Sequence, residues 1–263
     1  MDALAVAANV ILIAILIAML VEAVQRRLFA PPWLRYGVAA AALLVAADLA
    51  VYLIEAEVHQ VVPVWFYLVA AAILVVRAAT EAVVGLAAAE RLGLKPLPLV
   101  RPRTDGERRG GAAAVVAAGI ACGLAIAAWS AVLFLVTAPG PAGGGEIAPW
   151  QMPEGAALAW FLTALVVTSL GEELTFRLGI QNYFAALFGR GAAGYWAAIV
   201  LASALWSLGH IGRVDPEWVK FAQIFPAGLA LGWLFRRAGF EACVIAHAVL
   251  NLIMPFATPK LLG

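Results

Sequence analysis

The chain predicts an all-α fold: a polytopic membrane helix bundle of about eight transmembrane helices. Three observations carry that prediction. Apolar residues make up 65% of the 263 positions and charged residues 13%, with a mean hydropathy of +0.96, whereas a water-soluble domain carries about 25% charged residues. Apolar runs near the roughly 20 residues that cross a hydrocarbon core recur along nearly the whole chain. The alternation that a β-barrel needs is absent, and helices satisfy their own backbone in lipid.

The predicted spans cover about 3–24, 34–55, 62–89, 112–138, 156–188, 192–210, 218–236 and 240–257. The first begins after Asp2, with no basic segment ahead of it, and runs directly to Glu22 and Arg26-Arg27. That is not the shape of a cleaved signal peptide. The second contains Asp48, a mid-span acid without a partner legible in the sequence. The third holds Arg77 and Glu81, four apart on one face, which read as an inward-packed ion pair. Gly119 and Gly123 in the fourth span, and Gly228 and Gly232 in the seventh, have the small-xxx-small spacing of close helix packing. Cys122 and Cys243 lie inside apolar spans and read as small core residues.

Three connections punctuate these spans. Residues 91–110 form a basic, proline-containing loop with Arg91, Lys95, Arg101, Arg103, Arg108 and Arg109. Residues 139–155 (PGPAGGGEIAPWQMPEG) contain no basic residue, and 211–217 form a short polar turn. The glycine- and proline-rich 139–155 loop divides an N-terminal four-helix membrane half, 1–138, from a C-terminal half, 156–257. If eight spans alternate, Arg26, Arg27, Arg35, the 91–110 loop, Arg190 and Arg236-Arg237 share one side. The other side receives only Arg213, Lys220 and Lys260, with Glu55, Glu57, Glu146 and Glu154. The positive-inside rule then puts both termini outside. No basic patch with interleaved aromatics lies outside the spans, so nucleic-acid binding has no support.

A charge at mid-membrane costs about 2.5–3.5 kcal/mol on insertion scales, so each needs a reason. The segment Ser169 to Arg177 (SLGEELTFR) is the most informative. Glu173 and Arg177 are four apart with the acid first, the favourable order for a same-face pair. Glu172 is rotated by about a hundred degrees and has no such local partner. One acid is thus neutralised structurally while its neighbour is left for general-base work on water. Trp206 and His210 share a face near the end of the next span. His247 and Asn251 share a face of the last. His59 falls in a loop and reads as bland. Singly, each feature has a structural reading: a charge cluster, an interfacial histidine, interhelical glue. Together they supply a base for water, an imidazole to hold or pass a proton, and donors for an oxyanion, the needs of amide hydrolysis.

The ordered set resembles the CPBP family, the CaaX-protease and bacteriocin-processing (Abi-like) intramembrane proteases, whose pattern is EExxxR, FxxxH and HxxxN. Here it stands as Glu172-Glu173…Arg177, Trp206…His210 and His247…Asn251, with Trp206 where the family usually has Phe. The run GLALGWLFRRAGFEACVIAHAVLN before the third motif has the family's look, and the likeness covers about 156–255. The resemblance implies that Glu172 with His210 activates the attacking water, that His247 and Asn251 stabilise the oxyanion, and that Glu173 with Arg177 braces the site, Trp206 walling it. It implies a peptide or protein substrate with a membrane-associated tail or leader, held at the lipid bilayer. No cofactor is the first expectation. Zinc on Glu172, His210 and His247 is the second, since a glutamate and two histidines leave an open position, although no HExxH spacing is present. The alanine-rich, arginine-over-lysine composition points to a bacterial inner (plasma) membrane. Two non-enzymatic readings stand beside this one: a membrane immunity or scaffold protein, and a transporter, since buried acids and histidines also build proton relays. Counting along the helices leaves one puzzle: His247 falls nearer one membrane face and His210 nearer the other, unless 173–190 bends or re-enters.

Overall fold

The computed structural model describes residues 3–29, 33–56, 63–101, 105–141, 154–189 and 191–262. His59, Glu57, Glu146, Arg190, Arg103 and most of the 139–155 loop lie outside them. Long alanine- and leucine-rich segments, good helix formers, become α1 (Ala3–Gln25), α2 (Trp33–Ala56), α3 (Val64–Arg91) and α4 (Asp105–Thr137). A single helical run follows: α5 (Glu154–Leu162), a π-helical segment Thr163–Thr168, α6 (Ser169–Glu173), a second π-helical segment Leu174–Gln181, and α7 (Asn182–Phe188). Then come α8 (Ala192–Leu208), α9 (Glu217–Ala238) and α10 (Phe240–Leu262). Six of these rods are long and apolar enough to cross a membrane, and Ala192–Leu208 and Phe240–Pro255 are shorter apolar helices. The chain is an integral, polytopic membrane protein, and its lipid-facing surface is apolar: Ile13, Leu68, Ile73 and Val136 are all more than half exposed.

The two ends of the bundle are distinct. At one, Glu22 pairs with Arg26 at 2.8 Å and lies 3.9 Å from Arg91. There the Leu99 and Val100 amides donate to Glu241 Oε1 at 3.0 and 3.2 Å, and the Phe240 amide donates to the Pro96 carbonyl at 2.8 Å. This arginine-rich end therefore collects the α1 and α3 termini, the 92–101 loop and the α9–α10 turn. That turn is a single residue, Gly239, at φ 86, and any side chain there would strike the Pro98 ring. At the other end β1 (Gly140–Pro141) pairs antiparallel with β2 (Val214–Asp215).

Close packing sets the inner helices. α10 lies along α4 in the most extensive helix pair. A Cβ at Gly119 would sit 2.8 Å from the Ala242 carbonyl oxygen, and one at Gly123 would sit 2.5 Å from that of Ala246. Gly228 and Gly232 likewise admit Ser203 and Ile199 of α8, so both small-xxx-small pairs are packing surfaces. Gly85 of α3 faces the Leu178 carbonyl, which draws the second π-segment against the N-terminal helices. Pro226 inside α9 has no amide to offer the Ala222 carbonyl. The Trp129 indole of α4 donates to that carbonyl instead, at 3.2 Å.

Asp48 is not isolated. It lies beside the Tyr67 hydroxyl of α3, which donates to the Val45 carbonyl one turn away at 3.4 Å, a neighbour that sequence reading could not see across helices. The run 154–188 neither re-enters nor breaks. It stays helical and bulges twice, with the Glu-Glu pair between the bulges. α8 has 17 residues, about 25 Å at 1.5 Å per residue, short of a roughly 30 Å core. His210, just past its end, therefore need not reach a membrane surface.

Candidate active site

The Glu-Glu pair sits on α6, and its two carboxylates address one imidazole from two directions. Glu173 is fully buried, and its Oε1 accepts from His247 Nδ1 at 2.8 Å. Glu172, a quarter exposed, places Oε2 4.0 Å from His247 Nε2. The Nδ1–H bond to Glu173 fixes the tautomer and leaves Nε2 facing Glu172, as a carboxylate orients a catalytic histidine.

Arg177 lies in the π-helical segment, where residue i+4 no longer stacks squarely over residue i. Its Nε stands 3.5 Å from Glu173 Oε2, an ion pair without a hydrogen bond, and its guanidinium lies 4.7 Å from the centre of the Trp206 ring. Both Glu173 and Arg177 are wholly inaccessible.

Trp206 joins the parts. Its indole Nε1 donates to Glu172 Oε2 at 2.5 Å, and its ring meets His210 and His247 edge to face, each at 5.4 Å between centroids. The sequence reading made this residue a wall and left Glu172 without a local partner. The indole N–H is the long-range partner, and a phenylalanine would not supply it. His210 Nδ1 is 2.9 Å from the Trp206 carbonyl, the geometry of an Nδ1–H donor, which leaves Nε2 for the cavity.

Asn251 lines the same cavity, and its amide nitrogen donates to the Ala164 carbonyl and the Ser169 hydroxyl, both at 3.1 Å. Ser169 Oγ in turn donates to the Ala164 carbonyl at 2.7 Å, a five-residue reach that fits the first π-segment. Ser169 and Ala164 escaped sequence reading. Nothing but the π-bulge, which no residue pattern announced, brings them to Asn251.

Glu172, Trp206, His210, His247 and Asn251 thus share one cavity of about 210 Å³ between α6, α8, α9 and α10. The arrangement offers a carboxylate in reach of water, two imidazole nitrogens, and a buried carboxylate–arginine brace. The zinc donor set fits poorly as placed. Tetrahedral ligands at roughly 2.0–2.1 Å from zinc stand about 3.3 Å apart, whereas Glu172 Oε2 and His247 Nε2 are 4.0 Å apart and that oxygen already accepts the indole. Among the described residues no three His, Cys, Asp or Glu side chains converge as metal ligands.

Residues 154–253 match the family of type II CAAX prenyl endopeptidases, Rce1-like. The match covers about 38% of the chain. It takes in α5 to α10 as far as Ile253, including Glu172, Glu173, Arg177, Trp206, His210, His247 and Asn251. Over 94 residues the chain is also 30% identical to the sporulation-killing factor biosynthesis protein SkfC of Bacillus subtilis (strain 168), a stretch covering 35% of this chain. The chain spans only 18% of the length of that curated relative. No solved structure matches it.

Proposed function

We propose that the chain is an intramembrane endopeptidase that hydrolyses a peptide bond near the membrane, in a C-terminal tail or leader of a membrane-associated substrate. The observation that carries this is the convergence of Glu172, His210, His247 and Asn251, from three separate helical runs, on one cavity, all four within the segment that matches the Rce1-like family. The match of residues 154–253 to the type II CAAX prenyl endopeptidases supports the protease reading. A bacterial inner membrane is the proposed setting.

In this reading Glu172 takes a proton from a water that His210 Nε2 helps to hold, and the hydroxide attacks the scissile carbonyl carbon. The tetrahedral oxyanion is met by His247, whose Nε2 carries a proton when the ring is an imidazolium held by Glu173. Asn251 has two amide hydrogens, both engaged at Ala164 and Ser169. It joins the oxyanion site by exchanging the Ser169 hydroxyl for the substrate oxygen, and otherwise braces α10 against the first π-segment. Glu172 then returns its proton to the leaving nitrogen, and the C–N bond breaks to a carboxylic acid and an amine, the acid's proton passing to the amine to leave a carboxylate and an ammonium. Glu173, Arg177 and Trp206 position these groups without touching substrate. No step here passes through a metal.

The test compares wild type, Glu172→Ala and His247→Ala for processing of membrane-tail substrates. Loss of about 10²–10⁴-fold is expected for Glu172→Ala with the fold intact. Normal cleavage by a folded Glu172→Ala protein would sink the reading and favour a scaffold or immunity role. Loss of activity on stringent chelation, restored by zinc, would replace the metal-free mechanism.

A further inference from the structure

The candidate site has a charged side that the hydrolytic chemistry leaves unused. Arg213, exposed on the turn after α8, and Lys220, half-buried in the first turn of α9, line the same cavity as Glu172 and His247. Lys220 Nζ donates to Gln223 Oε1 at 2.9 Å, and Gln223 is itself buried, so the ammonium is aimed by a fixed partner. The neighbouring acids Asp215 and Glu217 do not line the cavity. Among the described residues Arg213 forms no ion pair. Both cations are near enough to act on the His210 imidazole.

The placement is selective. Of the 17 lysines and arginines in the chain, the alternation of spans assigns three to the arginine-poor end: Arg213, Lys220 and Lys260. Two of those three meet at this one cavity. Its other walls include Ile224, Leu250 and Met254, and its volume of about 210 Å³ is below the roughly 300–1,000 Å³ of small-molecule pockets. A small cavity with apolar walls, a hydrolytic carboxylate and two cations suits a short apolar chain end that terminates in an anion. A leader cut internally has no such anion at a fixed distance from the scissile bond.

We propose that Arg213 and Lys220 bind the free α-carboxylate of the substrate, so that the site selects a C-terminal tail over an internal leader. This deepens the hydrolase reading and rests on it for the identity of the substrate. Arginine meets a carboxylate with two parallel N–H donors, and lysine adds a point charge. Because Arg213 is exposed, the contact is partly screened, and a moderate preference is expected in place of an absolute one.

The experiment uses the full chain in zwitterionic nanodiscs. The probe is an N-acylated, fluorophore-labelled apolar decapeptide with a free C-terminus, set against its C-terminal amide twin. Binding is read on Glu172→Gln protein by fluorescence polarisation, and cleavage on wild type by mass spectrometry. The amide twin is expected to bind about tenfold more weakly. With Arg213→Gln and Lys220→Gln together the two peptides should bind alike, and Arg213→Gln alone should remove part of the preference. Equal binding of the two twins would overturn the proposal, as would a preference that survives in the double variant. So would a double variant altered only in its response to added phosphatidylglycerol, which would assign the cations to lipid phosphate. Binding that prefers the acid, with neither peptide cleaved by wild type, would leave the carboxylate site standing and remove the hydrolase reading. Cleavage without preference would do the reverse.

Discussion

The Arg77–Glu81–Thr175 cluster and the Glu172–Glu173–His247 cluster both bring charge into the middle of the bundle, and both draw on the helical run between Ser169 and Gln181. In the first, Arg77 Nε bonds Glu81 Oε1 at 2.9 Å, and the Thr175 hydroxyl stands 2.9 Å from the same oxygen and 3.0 Å from the Gly171 carbonyl. Arg77 Nη2 also donates to Thr175 Oγ1 at 2.5 Å. None of the three residues leaves a buried polar atom unpartnered. In the second, Arg177 has an ion pair and an aromatic face but no hydrogen bond, and Glu172 is held by one indole N–H at the wall of a cavity. The first cluster uses its charges on one another and ties α3 to the second π-segment. The second keeps a carboxylate and two imidazole nitrogens available. Buried charge in a membrane bundle is thus not itself a sign of chemistry. The sign is charge that adjoins a cavity and is held without being used up.

Substituting the matching acids would break or sharpen that contrast most strongly. Glu173→Gln leaves Arg177 buried without a counter-charge and weakens the hold on His247, so a loss of about 3–5 kcal/mol is expected together with lost hydrolysis. Glu81→Gln should cost less, about 3 kcal/mol or below, because Arg77 is partly exposed. The turnover of its folded fraction should stay near wild type. Thermal unfolding in detergent with activity per folded molecule separates the two; a stable Glu81→Gln protein without activity would make the first cluster part of the machinery.

A subtler pressure falls on Trp206. Trp206→Phe keeps an aromatic ring beside both histidines and Arg177 but removes the N–H to Glu172. A hydrogen bond to a charged group contributes about 1.5–3 kcal/mol, so turnover should fall about 10- to 100-fold while the unfolding temperature moves little. An unchanged rate would reduce Trp206 to the apolar wall that its sequence suggests.

The smallest effect is at His210, whose Nε2 is left for the cavity while Nδ1 faces the Trp206 carbonyl. Holding the attacking water is a matter of one hydrogen bond, which contributes about 0.5–1.5 kcal/mol, so His210→Gln should keep the fold and lower turnover about tenfold or less. Single-turnover cleavage by the folded variant checks this, and an unchanged rate would remove His210 from water activation.

Much of the architecture was legible because lipid imposes a simple code. Crossing length, apolar content and the spacing of basic loops place six of the eight rods within about two residues at each end, whereas α4 begins at Asp105, seven residues early and inside the expected 91–110 loop, and α10 runs to Leu262, five residues beyond its expected end. The glycine pairs Gly119–Gly123 and Gly228–Gly232 announced their packing faces, because only a missing side chain permits that backbone approach. The motifs Glu172-Glu173…Arg177, Trp206…His210 and His247…Asn251 are also visible as residues, since charge and imidazole in an apolar span stand out at once.

Which partner each residue takes was another matter. Sequence spacing reports neighbours along one helix, three or four residues away, and so it found Glu173 with Arg177 and Arg77 with Glu81. It did not report that Glu173 also holds His247, that the Trp206 indole holds Glu172, or that Asn251 reaches Ser169, because those contacts cross between helices. Two π-bulges flank the Glu-Glu pair on α6, and α8 ends two residues before His210, which lines one cavity with His247. The sequence by itself determined the membrane bundle and the chemical identity of its unusual residues, through hydrophobicity and local spacing. The tertiary packing alone decided that Glu172 faces a cavity while Glu173 is closed away, since helix register and tilt are set by the sum of many weak interhelical contacts.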